Sequence, residues 1–369
     1  MAKLFVGSYV NDITLALKAS VVSQEHCLVI SPPGWGKTDI ELSAGHKCLG
    51  KNNGLVFIRF AASSPPQKVE GVFDPQAALG NPARFVLVRK NTVFDPDAKI
   101  VIADEFTRPS DPVFDILIDA LNRKDIPQKD APVFWGTANF ATTSARSEAL
   151  RDRIGLIPWI RPGVIDVRAV VDAHAHSMYE ELEIGDFPTW KEVLEVRNAD
   201  PGDHAIEVCK EILELLAQEA AKAGLAVNPR RATQWFNILF HINVLLTGKA
   251  DFDSLEGDAC KCLTWAWANT DETKAAEWQK IASCVVDIIG TAISELKGKT
   301  LDKVRMLMSK TGSNAPRAKL AVELGEIIQD GQKELEQLGS KDKRIKQALE
   351  ELESVFVRIA RGEDPFANN

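Results

Sequence analysis

Short apolar runs alternate with stretches of helical character along the first 160 residues of the chain. Several of these runs are continuous, which is typical of strands in a parallel sheet that is buried on both faces. Strands and helices in alternation predict an α/β fold with a doubly wound parallel sheet. We expect the strands at Cys27 to Ser31, Leu55 to Phe60, Phe85 to Lys90, Lys99 to Ala103, Val133 to Thr137 and Gly155 to Trp159.

The pattern changes after residue 163, where the strand signals stop and helical spacing of apolar residues continues. We predict an α/β domain at residues 1–162, a helical domain at 163–296 and a C-terminal helical hairpin at 297–369. The apolar residues of the hairpin step by threes and fours, so it either packs on its own domain or binds a partner. The helices expected in the second domain are Ile165 to Leu182, Trp190 to Arg197, His204 to Ala223, Arg230 to Leu246, Ser254 to Ala268 and Glu272 to Leu296.

Composition narrows the class of protein only a little. The chain has 369 residues and a formal net charge of −8, which argues against coating nucleic acid by bulk electrostatics but leaves room for a local basic patch. No apolar run approaches the roughly 18 residues that span a membrane, and Met1 to Gly7 lacks the layout of a signal peptide. The six scattered cysteines fit reduced thiols better than a disulfide framework. We therefore expect a cytoplasmic protein.

A loop with the composition of a phosphate-binding loop follows the first strand and precedes a helix. Its glycines let backbone N–H groups surround phosphates, and the helix N-terminus adds a partial positive charge. Lys37 would reach the β- and γ-phosphates, and the hydroxyl of Thr38 would bind Mg²⁺. Ser31 stands where the GxxxxGK[ST] pattern has its first glycine, and Trp35 must point away from the phosphates, onto a base, a neighbouring subunit or the helical domain. The predicted nucleotide-binding residues are Ser31, Pro32, Pro33, Gly34, Trp35, Gly36, Lys37 and Thr38.

Polar residues also follow two later strands. The run Ile100–Ala103 leads into Asp104 and Glu105, so a strand would deliver both carboxylates to one edge of the sheet. Asp104 would then hold Mg²⁺, directly or through water, and Glu105 would orient the attacking water or accept its proton. Asn139 follows the next strand and could contact the γ-phosphate or the water. The alternatives are that the two acids cap the next helix and that Asn139 is an ordinary turn residue.

The segments SPPGWGKT, IVIADEFTRPS, VFWGTANF, EALRDRI and VNPRRAT occur in this order in the chain. Their order and approximate spacing resemble the AAA+ ATPases, a group of P-loop NTPases, and within them most closely the MoxR family. The resemblance covers about residues 9 to 280. It implies that the helical domain is a lid on the nucleotide and that the cofactors are ATP and Mg²⁺.

The same resemblance assigns roles to two arginines. Arg153 resembles the arginine finger that reaches the γ-phosphate held by a neighbouring subunit, with Arg151 and Arg146 as alternatives. Such a finger balances the charge that develops on the transferred phosphoryl group. Arg230 resembles the second sensor, at the start of a helix capped by Asn228 with Pro229 in its first turn, and Arg231 could exchange roles with it.

The resemblance also implies the function in outline. A finger acting in trans requires a ring, by resemblance a hexamer, and MoxR-like ATPases commonly remodel or activate a protein partner that carries a von Willebrand factor A domain. Within the insertion between Ser63 and Arg84, Phe73 is a candidate contact at the ring pore, although burial in the fold is the commoner fate of a Phe. Phe140 departs from the family, which usually has Pro there. The alternatives are a nucleic-acid motor or loader and a ring scaffold that binds ATP with little turnover.

Overall fold

The computed structural model describes residues 8–50, 54–80, 86–122, 131–139, 153–160, 184–224, 227–250, 257–266, 277–283 and 325–333, with a few helical positions between 300 and 358. Within them the central feature is a five-stranded sheet in the order β2-β5-β6-β1-β7, with every neighbouring pair parallel. A separate two-stranded hairpin pairs β3 with β4. In chain order the strands are β1 (His26–Ile30), β2 (Leu55–Arg59), β3 (Val72–Phe73), β4 (Leu87–Val88), β5 (Ile100–Asp104), β6 (Val133–Ala138) and β7 (Ile154–Leu156).

Helices cover both faces of the sheet. Adjacent residues of one strand point to different cores. Ile102 lies in the core shared with α1, α2 and the helical part, and Val101 lies in the core under α5. A sheet covered on both faces explains why the strand runs are continuously apolar. The helices are α1 (Ser8–Ser23), α2 (Lys37–Leu49), α3 (Gln67–Glu70), α4 (Pro75–Ala78), α5 (Asp111–Ala120), α6 (Trp190–Arg197), α7 (Asp203–Lys222), α8 (Pro229–Thr247) and α9 (Gly257–Leu263).

The predicted α/β fold with a parallel sheet and a helical part is confirmed, and one predicted strand is misplaced. Of the strand predicted at Phe85 to Lys90, the structure describes residues 86–90, and these do not join the main sheet: among them only Leu87–Val88 is extended, and it pairs antiparallel with Val72–Phe73. Gly71 is needed at the start of this hairpin, because its φ is +113° and a Cβ there would lie 2.3 Å from the carbonyl oxygen of Val88. Phe73 is 66% exposed, so the expectation that it is buried in the fold is wrong.

Local signals place the ends of the helical elements well. Helix α6 has the predicted bounds and begins at a capping box in which Thr189 and Glu192 bond reciprocally. Helix α8 begins after Asn228, whose side chain accepts from Arg231 N at 2.8 Å, with Pro229 in the first turn as expected. The predicted helix at Ile165 to Leu182 and most of the C-terminal hairpin lie outside the described residues. None of the described helices is long and apolar enough to cross a membrane.

Candidate nucleotide site

The predicted phosphate-binding loop connects β1 to α2 at the carboxyl edge of the sheet. Gly34 and Gly36 both have left-handed backbone conformations, with φ of +82° and +63°, which let the loop turn before the helix begins at Lys37. A Cβ at Gly34 would meet nothing within 4 Å, so the conformation rather than crowding favours glycine there. Pro32, Pro33 and Gly34 are exposed. The loop therefore presents its backbone to solvent above a helix N-terminus, which suits an anionic ligand.

Lys37 lies across this loop. Its Nζ donates to the carbonyl oxygens of Ser31 and Pro32 at 2.8 and 3.1 Å and to Oδ1 of Asn139 at 2.9 Å. Burial lowers the pKa of Lys37, while the charges of nearby acids, including Asp104, act in the opposite direction. The ammonium group is thus held at the loop by three oxygens, and phosphate oxygens could replace them.

Asp104 is the most densely bonded acid of the site. Its Oδ1 accepts from the hydroxyls of Thr38 at 2.8 Å and Thr137 at 2.7 Å, and its Oδ2 accepts from Nε of Arg59 at 2.6 Å. Burial raises the pKa of Asp104, but hydrogen bonds from Thr137, Arg59 and Thr38 outweigh it, so the pKa lies below its ordinary value. A carboxylate that stays ionised beside a hydroxyl is an oxygen donor set of the kind that Mg²⁺ prefers. Thr38 and Asp104 therefore fit a magnesium site.

Glu105 lies in a strained backbone conformation directly after β5. Its φ is +59°, which is uncommon for a residue with a side chain, and its backbone N donates to Oγ1 of Thr137 at 3.0 Å. Its carboxylate accepts from Nε of Arg108 at 2.6 Å. Strained residues held by their surroundings cluster at functional sites. Glu105 therefore lies in the turn that follows the strand carrying Asp104.

Trp35 packs inside its own chain rather than over the loop. Its ring meets that of Tyr9 of α1 edge to face, with centroids 5.2 Å apart. Burial raises the pKa of Tyr9 to about 12, so this phenol is neutral at physiological pH. The contact connects the phosphate-binding loop to the first helix. This contact was not predicted, because Trp35 was expected to contact a base, a neighbouring subunit or the helical domain.

Arg153 and Arg230 lie at the opposite edge of the sheet from the phosphate-binding loop, where β1 begins. Both line a cavity of about 490 Å³ beside His26, the first residue of β1. The amide of Asn122 lies between the two guanidinium groups: its oxygen accepts from Arg230 Nη2 at 3.4 Å in one orientation, and from Arg153 Nη2 at 3.0 Å in the other. Because β1 is five residues long, roughly 15 Å separates this edge from the phosphate-binding loop. Neither arginine reaches the loop of its own chain in this structure.

Two titratable residues face the same cavity. Burial raises the pKa of Glu25 to about 7, although hydrogen bonds from Asn237 and Gln234 act in the opposite direction. Burial lowers the pKa of His26 to about 4. The His26 ring also accepts from Phe134 N through Nδ1, which requires a neutral ring with its proton on Nε2. The cavity therefore combines two arginines, Arg230 exposed and Arg153 half-buried, with an acid that titrates near neutrality.

Of the alternative arginines, the structure describes Arg231. Arg231 is only 5% exposed and donates from Nη1 to the carbonyl oxygens of Ile154 and Ala266, so its guanidinium is used inside the fold and it does not exchange roles with Arg230. Arg146, Arg151 and Phe140 lie outside the described residues.

Sequence reasoning did not single out Thr137, Arg59 or Arg108. Arg59 could have been found, because it is the second-to-last residue of the strand predicted at Leu55 to Phe60, and the carboxyl ends of parallel strands meet at one edge.

Comparison with solved structures shows the fold. The chain is similar to the crystal structure of a "putative ATPase" from Cytophaga hutchinsonii, with a TM-score of 0.54 and 15% sequence identity over 77% of this chain and 90% of that one. At this identity the similarity establishes a shared fold and no more. The helicase domain of Pyrococcus furiosus Hef also matches, at a TM-score of 0.22 that carries no argument. No protein-family model matches the chain, and no curated protein does.

Proposed function

We propose that the chain is an AAA+ ATPase of the MoxR type, which hydrolyses ATP in an oligomeric ring to remodel or activate a protein partner. One observation carries the nucleotide part of this proposal: the Thr38 hydroxyl donates to Asp104, and Nζ of the adjacent Lys37 donates to Asn139, at a single edge of the sheet. Asn139 and Glu105 lie at the same edge, one on Lys37 and the other directly after Asp104.

Each of these groups has a defined task in the proposed reaction. The loop backbone and Lys37 bind the phosphates, and Thr38 and Asp104 hold Mg²⁺, which would neutralise charge on the β- and γ-phosphates. Glu105 orients the attacking water and takes its proton as the bond between the β- and γ-phosphoryl groups breaks. Asn139 would exchange Lys37 for the γ-phosphate or the water, and so register whether the γ-phosphate is present.

The position of the two arginines supports an assembly of several copies. Arg153 and Arg230 lie at the edge of the sheet opposite the phosphate-binding loop, where they could act on the nucleotide of a neighbouring copy. A ring, by resemblance a hexamer, would place this edge of each copy against the loop of the next. Arg153 would act as the arginine finger and Arg230 as the second sensor.

A protein is the better candidate for the substrate of this machine than a nucleic acid. The net charge is −8, and the hairpin of β3 and β4 exposes apolar side chains, with Val72 55% and Phe73 66% exposed. Exposed apolar residues in a group favour contact with a protein. The von Willebrand factor A partner rests on the family resemblance alone.

The test of this function compares the wild type with Glu105→Gln. The variant should bind a fluorescent ATP analogue with nearly wild-type affinity and release almost no phosphate, because it keeps the binding groups and loses the base. Normal phosphate release from Glu105→Gln would remove Glu105 from this role. Absence of turnover in the wild type, with tight ATP binding, would favour the scaffold alternative.

A second experiment addresses the partner. Affinity capture with Glu105→Gln and ATP should retain a client protein, and the same capture with Glu105→Gln/Phe73→Ala should retain less of it. Nuclease-sensitive capture of nucleic acid instead would favour the motor or loader alternative.

A further inference from the structure

Arg59 contacts the carboxylate that the proposed function assigns to Mg²⁺. Arg59 and Asp104 are directly paired at the ends of two neighbouring strands, β2 and β5. Nε of Arg59 lies 2.6 Å from Oδ2 of Asp104. The other oxygen, Oδ1, accepts from the hydroxyls of Thr38 and Thr137. The pairing of β2 with β5 therefore places the Arg59 guanidinium on Oδ2, whereas both hydroxyls bind Oδ1.

A guanidinium on Oδ2 and a magnesium ion bound through Oδ2 would compete for the same oxygen. Both are cations that a carboxylate attracts at short range, and two cations on the same oxygen would repel each other. We propose that Arg59 is a latch on the magnesium site: it competes with Mg²⁺ for Asp104 and sets the Mg²⁺ concentration at which MgATP binds. This inference rests on the proposed nucleotide site.

The surroundings of Arg59 allow its side chain to leave without disturbing the fold. The side chain is 68% exposed, whereas that of Asp104 is 7% exposed, so the arginine moves into solvent and the acid stays in place. The backbone is fixed separately, because Phe60 N donates to the carbonyl oxygen of Asp104 and Lys68 Nζ donates to that of Arg59. Solvent around the exposed guanidinium of Arg59 weakens its attraction to Asp104, so a divalent cation can displace it.

The neighbouring acid, Glu105, pairs with a different arginine. Glu105 already accepts from Arg108 at 2.6 Å. Arg108 therefore neutralises the acid assigned to the water, and Arg59 neutralises the acid assigned to the metal. Loss of Arg59 should change the Mg²⁺ requirement and leave the contact between Glu105 and Arg108 intact.

The experiment titrates Mg²⁺ against binding of a fluorescent ATP analogue to the full chain. Arg59→Gln should lower the Mg²⁺ concentration for half-maximal binding by about fivefold, the upper range for an exposed ion pair. Arg59→Lys keeps the charge and should stay close to the wild type. Lys210→Gln, which breaks an exposed pair with Glu207 on α7, is the matched control and should not shift the midpoint. Affinity for the analogue in EDTA should be equal in all four proteins.

Each outcome decides between alternatives. An unchanged or higher midpoint in Arg59→Gln, with analogue bound by the wild type, overturns the latch and leaves the proposed function standing. A loss of affinity in EDTA would identify Arg59 as a phosphate ligand and also overturn it. Failure of the wild type to bind the analogue at any Mg²⁺ concentration overturns both. Thermal unfolding in EDTA guards against misfolding of the variant: one cooperative transition is expected, at a somewhat lower temperature because Asp104 loses its hydrogen bond from Arg59.

Discussion

Nζ of Lys37 donates to Oδ1 of Asn139 at 2.9 Å and so joins the phosphate-binding loop to the end of β6. The two residues are 102 positions apart, and the parallel pairing of β1 with β6 brings them together. The lysine that would hold the γ-phosphate is therefore already in contact with the residue that would sense it.

Lys37→Ala should abolish detectable ATP binding. Hydrogen bonds to charged groups contribute about 1.5–3 kcal/mol each, so losing two or more bonds from the ammonium to the phosphates should weaken affinity about 100-fold or more. Binding of a fluorescent ATP analogue measures this directly. Asn139→Ala, which removes the partner of Lys37 but no phosphate-binding charge, should bind within about fivefold of the wild type and lose turnover. Unchanged affinity in Lys37→Ala would refute the assignment of the loop.

The strain at Glu105 predicts a difference between two inactive variants. At φ of +59°, glycine avoids the steric cost that alanine meets, so Glu105→Gly should be more stable than Glu105→Ala by about 1 kcal/mol. Both lose the carboxylate and its bond to Arg108, so the comparison isolates the backbone. Urea unfolding of the two variants measures the difference. Equal stability, or a more stable alanine variant, would show that this turn carries no strain.

Much of the nucleotide site could be predicted because its residues are adjacent to strong local signals. Lys37 and Asp104 each follow an apolar strand, and parallel strands bring their carboxyl ends to one edge of a sheet. Thr137 ends a predicted strand at the same edge, but its contact with Asp104 depends on the register between β5 and β6, which has no local signal. The positive φ of Glu105 has no local signal either, since the sequence around it contains no glycine that would mark a left-handed turn.

Arg230 lies at its edge of the sheet because its helix packs on elements that are far away in the sequence. Its helix could be predicted, down to the cap at Asn228 and Pro229 in the first turn. The location of that helix could not, because α8 docks on α1 and β7 through apolar surfaces that any of several orientations would bury. The same apolar character explains why Trp35 was not assigned to Tyr9.

Glu25 predicts a dependence of stability on pH. Its pKa is raised from 4.5 to about 7, so between these values the folded chain holds a proton that the unfolded chain has lost. The free energy of unfolding should therefore fall as pH rises from about 4.5 to 7, by up to about 3 kcal/mol. Glu25→Gln removes this contribution, so its stability relative to the wild type should increase across that interval and level off above pH 7.

His26 acts in the opposite direction and makes the comparison of variants necessary. Its pKa is lowered to about 4, so it raises the free energy of unfolding as pH rises from 4 towards 6.5 and masks part of the Glu25 effect in the wild type. The difference between the wild type and Glu25→Gln cancels the His26 contribution. A difference for Glu25→Gln that does not change with pH would contradict the raised pKa.

The arrangement of Lys37 and Arg153 at opposite edges predicts complementation between two inactive variants. A Lys37→Ala subunit binds no ATP but still presents Arg153, and an Arg153→Ala subunit binds ATP but presents no finger. If the finger acts in trans, a mixture of the two forms complete sites wherever the loop of one faces the arginine of the other, about a quarter of all interfaces when equal amounts mix at random. Phosphate release should then recover to about a quarter of the wild-type rate in the mixture, although each variant alone is inactive.

Arg230→Ala mixed with Lys37→Ala should behave in the same way, because Arg230 lines the same cavity as Arg153. A double Lys37→Ala/Arg153→Ala subunit mixed with Arg230→Ala is the control, since Arg153 then comes only from the Arg230→Ala subunits, which lack the second sensor, and no site can be complete. Activity in the mixture no higher than the sum of the separate variants would place both arginines outside the neighbouring nucleotide site.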